Sequence, residues 1–388
     1  MQVLAARTLG ASAYGSFALL LSILVLVTAL HTAWVGDSLT VLDRFEPDVR
    51  GVVIASQAVF MVAGPVVAVT AALLSDLTDT AGAILFATLV AMWLLEEAGR
   101  RVLMARSEFW KLVLNDAIYV IFALVSLALL RMTTDRMTLN ILLASMAIGA
   151  GSSVVAAGLQ LPAEELRWAR PKMRGIREVA GFAPWRSAQA GVRPLAFLCL
   201  RVLVSTLGSR AALGRIEAAR LLLAPAVIFS SGLGSFLLSM YSDEERNRGG
   251  RVFSLTWATA TLVGATALYA GAVLLFLEPF SRALTAGSIQ VDRVAVLGWA
   301  LVAIGFSAGL PAANAAVARR RSREVFQIRA FDSAVGLTLV VVIVASTSPS
   351  SAPFGLAFGM FVGAAMLWTT ASKPALAAQQ TVPSTRWM

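Results

Sequence analysis

The sequence predicts an all-α polytopic membrane protein with about eleven full transmembrane helices and a truncated first one. The helices are expected to form two six-helix lobes related by a pseudo-two-fold along the membrane normal. Three observations predict this: the composition, the length and number of apolar runs, and a hairpin pattern that recurs near mid-chain. Of 388 residues, 58% are hydrophobic and only 14% are charged, and the mean hydropathy is +0.78. A soluble globule of this size would expose far too much apolar surface, since ordinary domains are about 45–50% apolar. Disordered, collagen-like and disulfide-stapled classes fall with it, and the single cysteine, Cys199, can form no internal disulfide.

A span needs about 20 apolar residues to cross about 30 Å of hydrocarbon. Read against that length, spans are expected near 16–35, 51–74, 81–99, 113–130, 139–160, 187–207, 216–240, 253–277, 294–317, 330–346 and 353–372. The runs are long and unbroken, unlike the short alternating strands of a barrel. The stretch from Met1 to Leu9 is apolar but too short to span. The longest break, Leu161 to Arg186, is basic and leaves no room for a soluble domain. The expected organisation is an N-terminal lobe over 1–165, a basic cytoplasmic linker over 166–186, a C-terminal lobe over 187–372 and a cytoplasmic tail over 373–388.

Lysine and arginine fall unevenly between the loops. One alternating set, including Arg100, Arg101, Arg106, the Arg167–Arg186 stretch, Arg319 to Arg323 and the tail, holds 22 of them. The other set, from Arg7 to Arg293, holds 7, and the remaining 3 of 32 lie within spans. That bias places the first set and the C-terminus in the cytoplasm. It accounts for the net charge of +10 without nucleic acid, and it offers a basic face to anionic membrane lipids. No cleavable signal peptide is evident.

Thr8-Leu9-Gly10 is followed by four residues, Gly15 and an apolar run, and Thr206-Leu207-Gly208 by five residues, Gly214 and another. Gly10 and Gly208 are expected to close the preceding helices in the left-handed conformation. The offset, 208 − 10 = 198, is close to half the chain. A full span precedes the second turn but only Met1–Leu9 precedes the first, so residue 1 is expected to lie inside the first helix. Two six-span halves enclosing a cavity is an arrangement that transporters use.

Ala6-Arg7-Thr8-Leu9-Gly10 through Tyr14-Gly15-Ser16-Phe17-Ala18-Leu19 resembles the first hairpin of bacterial polysaccharide-export flippases. Glu97 to Asp116, with Arg100-Arg101, Ala105-Arg106 and Leu114-Asn115-Asp116, looks like their fourth-to-fifth helix connection. Ala219-Arg220-Leu221-Leu222 through Pro225, ending at Gly232-Leu233-Gly234, is similar to their eighth helix. The likeness is diffuse but covers most of the chain. It points to the oligosaccharide-export branch of the multidrug/oligosaccharidyl-lipid/polysaccharide flippase superfamily. The resemblance implies two lobes, alternating access and a cationic cavity for a lipid-pyrophosphate-linked oligosaccharide in the bacterial plasma membrane. It implies no cofactor and no covalent chemistry.

Charges inside spans narrow the site. An ionisable group at mid-bilayer costs on the order of 2.5–3.5 kcal/mol on insertion scales. Arg193, Arg201 and Arg220 all fall within predicted spans, and with Arg186 the first two form a drifting stripe at steps of seven and eight residues. Arg193 and Arg201 are expected about 12 Å apart along the helix axis. Guanidiniums take phosphate oxygens bidentately, so Arg193 and Arg201 are expected to hold a pyrophosphate, with Arg220 nearby. The plainer expectation is that Arg220 pairs with Glu217 three residues earlier and that Arg201 snorkels outward.

The remaining signals are weaker. Pro65, Pro194, Pro225 and Pro311 fall inside predicted helices, and Gly232 and Gly234 would admit close packing or a hinge. His31, the only histidine, has the ordinary pKa of a proton-coupling group, but the plainer expectation is a solvated interfacial residue, and Glu96, Glu97 and Glu278 are expected to be interfacial at helix ends. Asn115 and Asp116 are a candidate cap or gate pair. No zinc-type cluster, phosphate-binding loop or nucleophile elbow is present.

Two rival functions remain. A glycan polymerase, ligase or glycosyltransferase would need catalytic residues on sizeable outer loops, and those from Ser75 to Thr80 and from Ser346 to Pro353 are short. A drug–cation antiporter of the same fold would favour an acidic cavity, whereas the span charges expected here are mainly basic.

Overall fold

The computed structural model describes residues 1–42, 45–132, 134, 136–162, 164–165, 169–247, 254–319 and 321–372. In chain order the helices are α1 (Gln2–Thr8), α2 (Gly10–His31), α3 (Asp37–Val41), α4 (Pro47–Leu74), α5 (Thr80–Ala105), α6 (Phe109–Met132) and α7 (Leu139–Gln160). They continue as α8 (Met173–Leu207), α9 (Arg210–Asn247), α10 (Leu255–Leu275), α11 (Leu277–Thr285), α12 (Arg293–Ala318), α13 (Ser322–Ser346) and α14 (Ala352–Ala371). A π-helical turn, Thr32–Gly36, joins α2 to α3. Among the described residues, eleven helices are long and apolar enough to cross a membrane, from Gly10–Leu39 to Pro349–Ala371. The chain is thus an all-α multi-pass membrane protein, as its composition predicts.

Local chemistry sets the ends. Asp79 caps α5 by accepting from the Gly82 N–H at 2.8 Å, and Thr138 caps α7 by accepting from Ile141. Pro47 opens α4 at a position whose N–H has no helical partner anyway. Pro65, Pro194, Pro225 and Pro311 all lie inside helices, as expected. Pro184 does too, because α8 begins at Met173. The basic stretch expected as a linker over 166–186 is therefore helical from 173 onward. Its face of Gly175, Val179 and Ala183, spaced by four, is buried, and Gly175 sits against the Asp48 carbonyl with no space for a Cβ. Burial of that stripe against the start of α4 outweighs the charge on the opposite face.

The described chain divides into two compact units. The first comprises Met1–Leu222, Glu278–Ala295 and Val341–Ala352, and the second Leu223–Leu277, Val296–Val340 and the chain from Pro353. The boundary at Leu222 lies inside α9, past the 166–186 stretch.

In the first unit, small residues bring helices together, the usual device where lipid is as apolar as leucine. Gly149 on α7 lies against the Tyr119 carbonyl and Ala123 of α6, and Gly99 on α5 against Ala157 of α7. Gly15 on α2 lies against the Arg210 carbonyl of α9, and Gly214 on α9 against the Ala11 carbonyl of α2. Gly10 takes φ +72°, the left-handed value expected of it. Gly208 does not: its φ is −114°. Its need for glycine is steric, since a Cβ would press on the Pro349 ring.

In the second unit, Gly355, Gly359 and Gly363 form a stripe along α14 that receives α13, with Gly359 against the Asp332 carbonyl. Gly234 on α9 packs on Leu310 of α12, and its carbonyl accepts from Asn314 at 2.7 Å. Gly234 thus serves close approach, while Gly232 faces open space. Ser230, Thr266 and Ser307 close a ring of buried hydroxyls at 2.8–3.4 Å, one each from α9, α10 and α12.

Candidate functional site

The turn at Gly208–Ser209 makes α8 and α9 antiparallel. Arg201 lies eight residues before Ser209 and Glu217 eight after it. At 1.5 Å per residue both stand about 12 Å from the turn, at the same height and well inside their spans. They meet as a fork: Arg201 Nε donates to Glu217 Oε1 at 2.8 Å and Nη2 to Oε2 at 3.0 Å. Arg220, one turn beyond Glu217, donates through Nε to Oε2 at 2.6 Å. One carboxylate thus serves two guanidiniums, and the trio carries one net positive charge.

The surroundings come from α1 and α2. Ser22 accepts from Arg201 Nη1 at 2.7 Å while its own hydroxyl donates to the Ala18 carbonyl. Gln2 accepts from Arg220 Nη2 at 3.3 Å. Phe197 places its ring 6.0 Å from the Arg201 guanidinium carbon. Tyr14, Phe17 and Leu21 complete the wall of a small cavity beside the charges. The side chain of Glu217 is 1% exposed, that of Arg201 11% and that of Arg220 25%. The cavity is only about 10 Å³, so the cluster is closed in this conformation, with Arg220 its most exposed member.

Three of the four predicted site residues, Arg201, Arg220 and Glu217, are therefore together. Arg220 pairs with Glu217 as the plainer expectation had it, but Arg201 does not snorkel, because Glu217 and Ser22 give it partners indoors. Arg193 stands about two turns away on α8, half-buried, and does not line this cavity. Arg186, the first member of the stripe, pairs with Asp37 at 2.7 Å.

A second polar cluster lies in the first unit, where the sequence predicted interfacial groups. His31 is fully buried, its Nε2 hydrogen-bonded to Gln57 at 2.5 Å and its ring edge-on to Phe60. Glu96 and Glu97 are 3% and 7% exposed, in the body of α5 and not at its end. Glu97 accepts from Thr32 at 3.0 Å and from Arg101 at 2.7 Å, and Arg100 pairs with Asp116 at 3.4 Å. Asn115 is fully buried, and its carbonyl accepts from Ser153. These groups are buried because α5 runs on to Ala105, six residues past the expected end of its span, into a bundle tight enough to cover them. The intramembrane charge is consequently mixed, not mainly basic. Beside the cluster, an apolar cleft of about 340 Å³ is lined by Val53, Gln57, Leu95, Gly99 and Val154, with Arg50 and Glu165 also on its wall.

Among the described residues no group of histidine, cysteine and carboxylate side chains is arranged to hold a metal.

Eleven membrane-spanning helices among the described residues, with a charged cluster inside them, define a polytopic membrane protein. Solved structures give that fold its particular form. An inward-facing multidrug resistance MATE transporter of the multidrug/oligosaccharidyl-lipid/polysaccharide superfamily matches over 95% of this chain and 92% of its own, with a TM-score of 0.78 at 12% identity. The lipid II flippase MurJ in an inward closed conformation matches over 96% and 84%, with a TM-score of 0.71 at 13% identity. A superfamily transporter from Pyrococcus furiosus, described by the reverse polarity of its binding pocket, matches over 93% and 86%, with a TM-score of 0.60 at 10% identity. At such identities the likeness is one of fold, and the fold is that of this superfamily. No family model matches the sequence, and among curated proteins none matches it.

Proposed function

We propose that the chain is a superfamily flippase that carries a lipid-linked oligosaccharide, through its pyrophosphate, from the cytoplasmic to the outer leaflet of a bacterial plasma membrane. Two lobes, 1–165 and 187–372, would alternate access to the cavity between them, with the C-terminus cytoplasmic. The observation that carries this reading is the pair of guanidiniums, Arg201 and Arg220, held inside two spans around one carboxylate. Their surplus positive charge lowers the cost of bringing phosphate oxygens into a low-dielectric region, and guanidinium forks match phosphate geometry. Arg193, on the same helix, would extend this path. The fold shared with a lipid II flippase supports the reading. The transporter needs no covalent step.

A second reading, a cation-coupled drug antiporter, is favoured by the buried acids Glu96 and Glu97 and by the fold shared with the multidrug transporter. Reconstituted vesicles separate the two. The flippase reading predicts protein-dependent movement of a polyprenyl-pyrophosphate glycan and none of an organic cation. The opposite pattern would establish the antiporter.

A further inference from the structure

Glu217 is an unusual neighbour for a phosphate-accepting site, because it already fills the site. Both its oxygens are engaged by guanidinium nitrogens at 2.6–3.0 Å, and its side chain is almost wholly buried. Resting on the reading that this cluster receives the substrate's pyrophosphate, we propose that Glu217 sets its charge threshold. The carboxylate is a resident anion that a headgroup bearing two or more negative charges displaces and a singly charged headgroup does not.

The argument is one of exchange. A phosphodiester headgroup brings one negative charge, the same as the carboxylate it would replace. The swap gains no Coulomb energy, and it gives up a fork already assembled by the antiparallel α8–α9 turn. A pyrophosphate brings at least two charges to a trio whose net charge is +1, so the same swap gains a full ion pair in a low-dielectric place. The selection matters because singly charged phospholipids are abundant in anionic leaflets and would otherwise compete for the site. Entry is at Arg220, the exposed edge, while Arg201 is additionally fastened to Ser22. Displacement therefore begins with the less tethered arginine. Among the described residues no lysine or second carboxylate lines this cavity to blur the count.

The test uses the full chain in nanodiscs of zwitterionic phosphatidylcholine, with thermal unfolding as the readout of binding. An isoprenyl pyrophosphate and a phosphatidylglycerol of similar chain length are titrated separately. Wild-type protein should be stabilised by the pyrophosphate at a concentration at least tenfold below that needed for phosphatidylglycerol. In Glu217→Gln phosphatidylglycerol should stabilise the protein at a concentration at least tenfold below the one it needs with wild type, because the guanidiniums then stand open to a singly charged anion. If Glu217→Gln does not fold, Glu217→Gln/Arg220→Gln, which removes one charge of each sign, should show the same gain for phosphatidylglycerol. A phosphatidylglycerol requirement unchanged from wild type in the folded variant overturns the threshold while leaving the binding site standing. No stabilisation of wild type by the pyrophosphate, with Arg201→Gln indistinguishable from it, overturns the site itself and the threshold with it.

Discussion

Gly15 and Gly214 occupy reciprocal places in a single helix crossing. A Cβ on Gly15 would overlap the carbonyl of Arg210, and a Cβ on Gly214 would overlap the carbonyl of Ala11. The two contacts are one contact repeated, since 214 − 15 and 210 − 11 are both 199. Reciprocity of this kind is what a two-fold axis through the crossing generates. The two glycines that follow the Thr-Leu-Gly turns in the sequence thus meet at one crossing.

The crossing tolerates no side chain on either glycine. Gly15→Leu or Gly214→Leu should each lower stability by an amount at or above the upper end of the usual 1–3 kcal/mol for overpacking, because what stands in the way is backbone. Thermal unfolding in detergent should show a clear drop for both and little change for Gly232→Leu, where space is open. Equal midpoints for all three would refute the close crossing.

The Arg201–Glu217 fork should behave as a buried pair. Removing one partner leaves the other charge stranded, at a cost of about 3–5 kcal/mol. Arg201→Met and Glu217→Leu should each be strongly destabilising, and the double variant much less so than their sum. A double-mutant cycle reads this directly, and additive losses would mean that the fork contributes no coupling. Arg220→Gln should cost less, since a quarter of that side chain is exposed.

Much of this was legible in the residues. Apolar run lengths placed all eleven spans, and the equal spacing of Arg201 and Glu217 about Ser209 was there to be counted. That symmetry is hidden because Glu217 already has a natural partner in Arg220, three residues away on its own helix. Ser22 and Gln2 could not have been found, because nothing in sequence ties them to α8 and α9 before the helices are packed. His31, Glu96 and Glu97 were misplaced for a related reason. Polar groups near the end of an apolar run look interfacial until the helix is seen to continue beyond them into neighbours that satisfy them. Gly208 looked like a left-handed cap, and only the Pro349 ring shows that its constraint is space.

At the opposite side of the first unit from the basic loops, Asp79 fastens two helix starts. Its carboxylate accepts from Gly82 N–H and from Asn140 at 3.1 Å, and these hydrogen bonds hold its pKa below the ordinary aspartate value of 3.8. A lowered folded-state pKa means stability that is present above the ordinary value and lost as pH falls through the lower one. Wild-type protein should therefore lose more of its unfolding midpoint than Asp79→Asn between pH 5 and the acid limit of the measurement. Parallel profiles would remove Asp79 from the account.

In the second unit, Gly363 gives Asp332 its room: a Cβ there would lie against the Asp332 carboxyl. Asp332 is 4% exposed and within 3.4 Å of Arg329. Gly363→Val should push the carboxyl off its partner and destabilise the protein, and Gly363→Val/Asp332→Ala should recover part of the loss. No recovery in the double variant would show that the glycine serves helix approach alone.

Transport of a polyprenyl-pyrophosphate oligosaccharide across reconstituted vesicles, measured for wild type and for Arg201→Gln/Arg220→Gln, bears most directly on the whole account. The guanidinium pair predicts that the wild type carries the lipid across and that the double variant, inserted to the same level, does not. A double variant that keeps the wild-type rate would contradict it.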